Sequence, residues 1–287
     1  MALRTDLAME CCAALEGSLP GGAKHSSYVF GGICVETVEI LDDEAANAIG
    51  KPRGKYITVT TPPFASSLEV SEAEIDKIAQ EMRELLPDFG TVLIVGLGND
   101  DITPDAIGPR TAHRILATRH IDPEAAAQAG LGKLRPAAAF VPGVLGQTGV
   151  ESSEIVRSLT DAIKPSAVIV IDALAARSLS RLGNTIQISN SGISPGSGVM
   201  NARKELSRET LGVPVISAGI PTVVDAATLI SDLSGKECEL DDFCRQMMVT
   251  PRDIDQLIGH ACHTLSLAIN RAVQKDLSFE VISYLMS

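Results

Sequence analysis

TVLIVGLGNDDITPDAIGP, residues 91–109, opens with a short run of apolar, largely β-branched residues and then breaks into an acidic loop punctuated by glycine and proline. A run of this length without polar alternation reads as a strand buried on both faces, the habit of a parallel sheet covered by helices. Three further runs share its character: AAAFV (137–141), AVIVID (167–172) and PVISAGI (214–220). Helical or loop segments separate them, and such alternation predicts an α/β fold with a mostly parallel central sheet flanked by helices. Between these strands, helices are predicted over Asp105 to Arg119 and over Gly149 to Lys164, the second closed by Pro165. Towards the C-terminus, Pro251 and Asp253 open an amphipathic helix running to about Lys275, with Ile254, Leu257, Ile258, Ala261, Leu265 and Ile269 on one face. Upstream of residue 91 the pattern is mixed, with strands at Ile33 to Ile40 and Tyr56 to Thr60 and a helix at Ser71 to Leu86.

A chain of 287 residues with 45% hydrophobic and 21% charged content can bury a substantial core, and residues 1–287 read as one extended α/β domain. With 3% aromatic residues and no Trp, that core must be filled by Ala, Val, Ile and Leu, which favours helices on a sheet over a β-sandwich. The formal net charge of −12 opposes direct nucleic-acid binding, because affinity for phosphates depends on Lys and Arg displacing counterions. No apolar run reaches the roughly 20 residues that span a bilayer, and MALRTDLAMECC lacks the continuous apolar core of a signal peptide. A cytoplasmic protein without membrane contact is expected. The six cysteines, at 11, 12, 34, 238, 244 and 262, contain no CxxC pair and read as free thiols.

In open α/β sheets, ligands collect where loops converge at the carboxyl ends of strands. Asp105 lies in the loop after the first parallel run, and Asp172 closes AVIVID. A carboxylate pair there can hydrolyse a peptide bond if one member takes a proton from water and the other gives one to the leaving amine. The plainer reading of Asp105 is a helix cap, and that of Asp172 a salt bridge to Arg177 or Arg181. GLGND (96–100) lacks the third glycine of a dinucleotide loop, Ile102 standing in its place. GISPG (192–196) has the spacing of a nucleophile elbow, but Pro195 disfavours the required geometry at Ser194 and removes an N–H. HACH (260–263) sets His260 and His263 at i, i+3 without the carboxylate of the HExxH pattern, so these read as structural histidines. The glycine-rich stretch NSGISPGSGVMNARKEL (190–206) can bring backbone N–H groups close to an extended peptide or an oxyanion, the plainer reading being an ordinary loop. Arg177, Arg181, Arg203 and Lys204 are the cations in sequence range of an acidic substrate.

The runs GLGNDDITPDAIGP, PGVLGQTGVESSEI, IDALAARSLSR, NSGISPGSGVMNARKEL and ETLGVPVISAGIPTVVDA resemble, in the same order, those of the germination protease family. The resemblance implies a fold similar to the hydrogenase maturation proteases (phosphorylase/hydrolase-like) and a homotetramer. It also implies an endopeptidase that acts in the spore core on small acid-soluble spore proteins, cutting after Glu or Asp before an apolar residue. The family's two catalytic aspartates fall on Asp105 and Asp172. No cofactor is certain on this basis, and a divalent metal stays open. The family is made as a self-processing zymogen, and RTDLAMEC (4–11) places the expected cut between Asp6 and Leu7, which makes residues 1–6 a short propeptide. The alternatives are a metal-assisted maturation protease and a non-catalytic binding module on the same fold.

Overall fold

The computed structural model describes residues 5–15, 19–66, 70–196, 204–234 and 247–287. Its strands are β1 (Ala23–Phe30), β2 (Ile33–Ile40), β3 (Gly54–Thr60), β4 (Val92–Gly96), β5 (Ala137–Phe140), β6 (Ala167–Ala176), β7 (Thr185–Ser189), β8 (Val215–Asp225) and β9 (Met248–Val249). They form one sheet in the order β1-β2-β3-β7-β8-β6-β4-β5, with β9 paired to β8. The runs that decided the α/β reading form its parallel half: β4 lies parallel to both β5 and β6, and β6 lies parallel to β8. The other half, β7-β3-β2-β1, is antiparallel.

Alternation within the buried strands sends side chains into two cores. Ile94, Ile169, Ile171, Ile216 and Ile220 pack on one face with the helices Glu72–Leu85 and Ile254–Val273. Leu93, Val95, Val168, Val170 and Val215 fill the other face beneath Val156 of the helix Ser152–Ile163. Of the stripe expected on the long C-terminal helix, Leu257, Ile258, Ala261, Leu265 and Ile269 are buried, and Ile254 is half-buried against the same cluster. Among the described residues no helix is long and apolar enough to cross a membrane. Cys11, Cys12, Cys34 and Cys262 are free thiols, while Cys238 and Cys244 lie outside the described residues.

Several elements differ from the sequence reading. The helix expected over Asp105 to Arg119 is reduced to a single 3-10 turn, Thr103–Asp105, and a short helix, Ile107–Ala112. Tertiary hydrogen bonds take the backbone beyond it: the N–H groups of Thr118 and Arg119 donate to the Ala137 carbonyl at the sheet edge, and that of Leu116 to the Asn270 side chain. The helix expected from Gly149 begins at Ser152, because Gly149, at φ 71°, ends the preceding turn of helix Leu145–Thr148. β1 and β7 were not foreseen. β1 is an almost wholly exposed edge strand without an apolar face, and TIQIS of β7 is too short to show a period.

Candidate active site

β4 and β6 are neighbours in the sheet, yet the chain leaves β4 towards β5 on one side and leaves β6 towards β8 on the other. A crevice opens outside the strand ends at such a reversal of order, and ligands of α/β proteins collect there. Asp105 and Asp172 both reach this place. β6 runs on beyond Asp172 to Ala176, because it stays paired with β8 as far as Ala176 opposite Val224. Asp172 therefore sits within the strand, one residue past the level at which β4 ends, where Gly96 pairs with Ile171.

The loop that carries Asp105 is folded tightly on itself. Gly98 has φ 115°, and a Cβ there would lie 2.1 Å from the Asp105 carbonyl oxygen, so only glycine fits. The Asp105 carboxylate turns back to accept the Asn99 N–H at 2.8 Å. It does not cap the helix Ile107–Ala112, whose N-cap position is Ala106 with no side-chain hydrogen bond. A bulge fixes the loop from below. Pairing of β6 with β8 slips by one residue after Leu174–Pro221, which leaves Thr222 outside the register. Proline lacks the N–H that a regular ladder needs there, and bulges commonly re-aim a side chain beside a site. The freed Thr222 hydroxyl donates to the Pro104 carbonyl at 2.7 Å.

Asp172 is 7% exposed, and one of its oxygens accepts the Ala173 N–H at 3.0 Å. With Asp105 it lines a cavity of about 260 Å³ whose wall also includes Ile102, Glu151, Ser153 and Lys204. Glu151 and Ser153 are the residues that sequence reasoning missed. Glu151 holds the N-cap position of the helix Ser152–Ile163 but makes no capping bond. Among the described residues its Oε2 and the Ser153 hydroxyl are buried without a hydrogen-bond partner, and both residues line the same cavity. Buried polar atoms are normally satisfied, so this pair departs from the rule at the cavity wall. The signal in sequence was an acid beside serines at a helix start, which is indistinguishable from an ordinary cap.

Of the expected cations, Lys204 reaches this cavity and pairs with Glu154 at 3.3 Å. Arg181 is held between Glu36 (3.0 Å) and Thr60 (2.9 Å) in the antiparallel half, and neither it nor Arg177 lines the cavity. Arg203 lies outside the described residues. His260 and His263 are both exposed, and His260 Nδ1 lies 2.8 Å from the Phe64 carbonyl. Among the described residues no group of three or more His, Cys, Asp or Glu could hold a metal ion.

A second cavity, of about 220 Å³, meets the first at Asp172 and Gly196, and its wall includes Asp6, Lys51, Tyr56 and Gln187. Burial pushes the Tyr56 phenol up to about 12, so it stays protonated and donates to the Pro52 carbonyl at 2.7 Å. The chain's own N-terminal segment docks here. Asp6 exchanges two hydrogen bonds with Ala175 of β6: its N–H donates to the carbonyl (3.0 Å), and its carboxylate accepts the N–H (2.8 Å). Leu7 is fully buried against Leu174, Ala176 and Ile193. Glu10 accepts the backbone N–H groups of Arg177 and Ser178, both at 2.8 Å.

Residues 20–235 match the model of a protein family described as germination protease. A germination protease of Caldanaerobacter subterraneus subsp. tengcongensis is 40% identical over 321 aligned positions, covering 100% of this chain and 98% of its own length. One from Clostridium tetani is also 40% identical, over 99% of this chain and 100% of its own length. One from Clostridium perfringens is 38% identical over 98% of each. The crystal structure of a NiFe hydrogenase maturation protease from Thermococcus kodakarensis covers 66% of this chain and 98% of its own, with a TM-score of 0.38 and 16% identity, too slight a likeness to carry an argument. A match of this extent has one reading: the chain belongs to the germination protease family.

Proposed function

We propose that this protease is an endopeptidase that begins the breakdown of small acid-soluble spore proteins in the spore core, cutting after Glu or Asp where an apolar residue follows. It acts as a homotetramer, with no membrane or direct nucleic-acid partner. Asp105 and Asp172 share the chemistry. One draws a proton from a water molecule as the water adds to the scissile carbonyl carbon, and the other returns a proton to the leaving nitrogen as the C–N bond breaks. The observation that carries this reading is that both carboxylates wall one cavity at the switch point, each with one oxygen held by a backbone N–H. Asp105 is held by a glycine-dependent loop and the Thr222 bond, so it is positioned before substrate arrives. The enzyme is made as a zymogen and trims itself between Asp6 and Leu7, a bond that lies beside the cavity of Asp172.

The test is incubation of purified wild type, Asp105→Asn and Asp172→Asn with an acid-soluble spore protein, with products and the enzyme's own N-terminus read by mass spectrometry. Each Asn variant is expected to lose about 10²–10⁴-fold in cleavage rate while melting as the wild type does. Cleavage that persists in either variant removes that aspartate from the mechanism. Cleavage abolished by a chelator replaces the reading with a metal-assisted one.

A further inference from the structure

The carbonyl oxygen of Asp6 takes hydrogen bonds from two side chains at once: the Gln187 amide nitrogen at 2.8 Å and the Lys51 ammonium at 3.1 Å. Neither is a secondary-structure partner. A cation and an amide converging on one carbonyl lie at the distances that polarise it, and they oppose the negative charge that grows on oxygen when water adds to the carbon. Gln187 does more than donate, because its Oε1 accepts the Ala8 N–H at 2.7 Å. The two contacts permit one orientation of the amide, with nitrogen on the carbonyl before the Asp6–Leu7 bond and oxygen on the N–H after it. The bond is bracketed by a single side chain. Lys51 also holds the Thr5 carbonyl, at 3.3 Å.

Further contacts fix the register of the segment. The Asp6 carboxylate is read by the Ala175 N–H, Leu7 fills an apolar socket, and Leu7 is extended at φ −83°, ψ 121°. The Leu7 N–H, on the nitrogen that would leave, donates to the Thr5 hydroxyl at 3.0 Å. Lys51 and Gln187 line the cavity that Asp172 shares, so donors and carboxylate face one space.

From this geometry we infer that Lys51 and Gln187 are the electrophilic catalytic residues of this protease, holding the carbonyl oxygen of the acidic residue before the cut, first in the chain's own leader and then in substrates. The inference rests on the proposed cleavage between Asp6 and Leu7. In the step they assist, the water oxygen bonds to the carbonyl carbon, the bond to the Leu7 nitrogen breaks, and a proton passes to that nitrogen. The carbonyl oxygen keeps its two donors throughout.

Full-length wild type, Lys51→Met, Lys51→Arg and Gln187→Met are compared in two assays: the first-order rate of self-trimming by intact mass, and cleavage in trans of a peptide with the sequence of residues 4–11. Lys51→Met and Gln187→Met are each expected to lose about 10²-fold in self-trimming rate and in kcat on the peptide, with KM little changed. Lys51→Arg, which keeps a cationic donor, should recover most of the rate, and melting temperatures should stay near that of the wild type. If wild type cuts neither itself nor the peptide between Asp and Leu, the cleavage reading fails and takes this inference with it. If wild type cuts there and both Met variants keep pace, the cleavage reading stands and the donor pair is overturned. It is overturned equally if KM rises with kcat intact, or if the loss follows a collapse in melting temperature that Arg does not rescue, because either result makes the pair an anchor for the N-terminal segment only.

Discussion

Thr222 shows how one side chain can matter through its neighbour. It is fully buried, and its hydroxyl reaches the Pro104 carbonyl only because Pro221 interrupts the ladder between β6 and β8. Thr222→Val keeps the shape and removes the donor, leaving a carbonyl unsatisfied beside Asp105 at a cost of about 1–3 kcal/mol. We expect a small fall in melting temperature by circular dichroism and a larger fall in cleavage rate, since the loop would lose its registration against Asp172. Wild-type cleavage in that variant would show that the loop is held without it. Asp105 and Asp172 were both legible as candidates from their places after buried runs. Glu151, Ser153, Lys51 and Gln187 were not, because their meaning lies in partners made or missing across long stretches of chain.

At the scale of elements, the helix Glu72–Leu85 announces itself in sequence by Ser71 and Glu74, which form a capping box in the structure. What the spacing cannot show is that the Glu74 carboxylate also accepts the Gly32 N–H in the turn between β1 and β2, tying the edge hairpin to the helix. Burial alone would raise Glu74, but the bonds from the Ser71 N–H, the Gly32 N–H and the Ser71 hydroxyl outweigh it and hold the group below its ordinary 4.5. A depressed carboxylate contributes stability that is present above its unfolded value and is lost as pH falls through the folded one. Glu74→Gln should therefore lower stability by about 1–3 kcal/mol at neutral pH and flatten the decline on acidification below the ordinary carboxylate range. Urea titrations at pH 7 and pH 3 check this, and parallel acid limbs for the two proteins would refute it.

Across the whole molecule, the largest core cluster joins the two halves of the sheet. Ile33, Val35, Ile57 and Val59 from the antiparallel half belong with Ile94, Ile169 and Ile216 from the parallel half, and the helix Ile254–Val273 packs with both. A shared core implies shared unfolding. We expect Leu265→Ala, at a fully buried position in that helix, to destabilise by about 2–5 kcal/mol and to shift a single denaturation transition as one. Two separated transitions would show that the halves fold independently.

The α/β class, the parallel runs and the packing stripe of the C-terminal helix were settled by the sequence itself, because hydrophobic periodicity and chain punctuation are local properties that solvent exclusion turns into strands and helices. The lengths of helices near the sheet edge, the antiparallel half and the bulge at Thr222 were decided only in three dimensions. There, hydrogen bonds such as that from Leu116 to Asn270 compete with the helix that propensity alone favours. The convergence of Lys51, Gln187, Asp172 and the N-terminal segment on one cleft is likewise tertiary. No local pattern encodes which distant donors will meet one carbonyl oxygen, since that depends on how β3, β6 and β7 are ordered in the sheet.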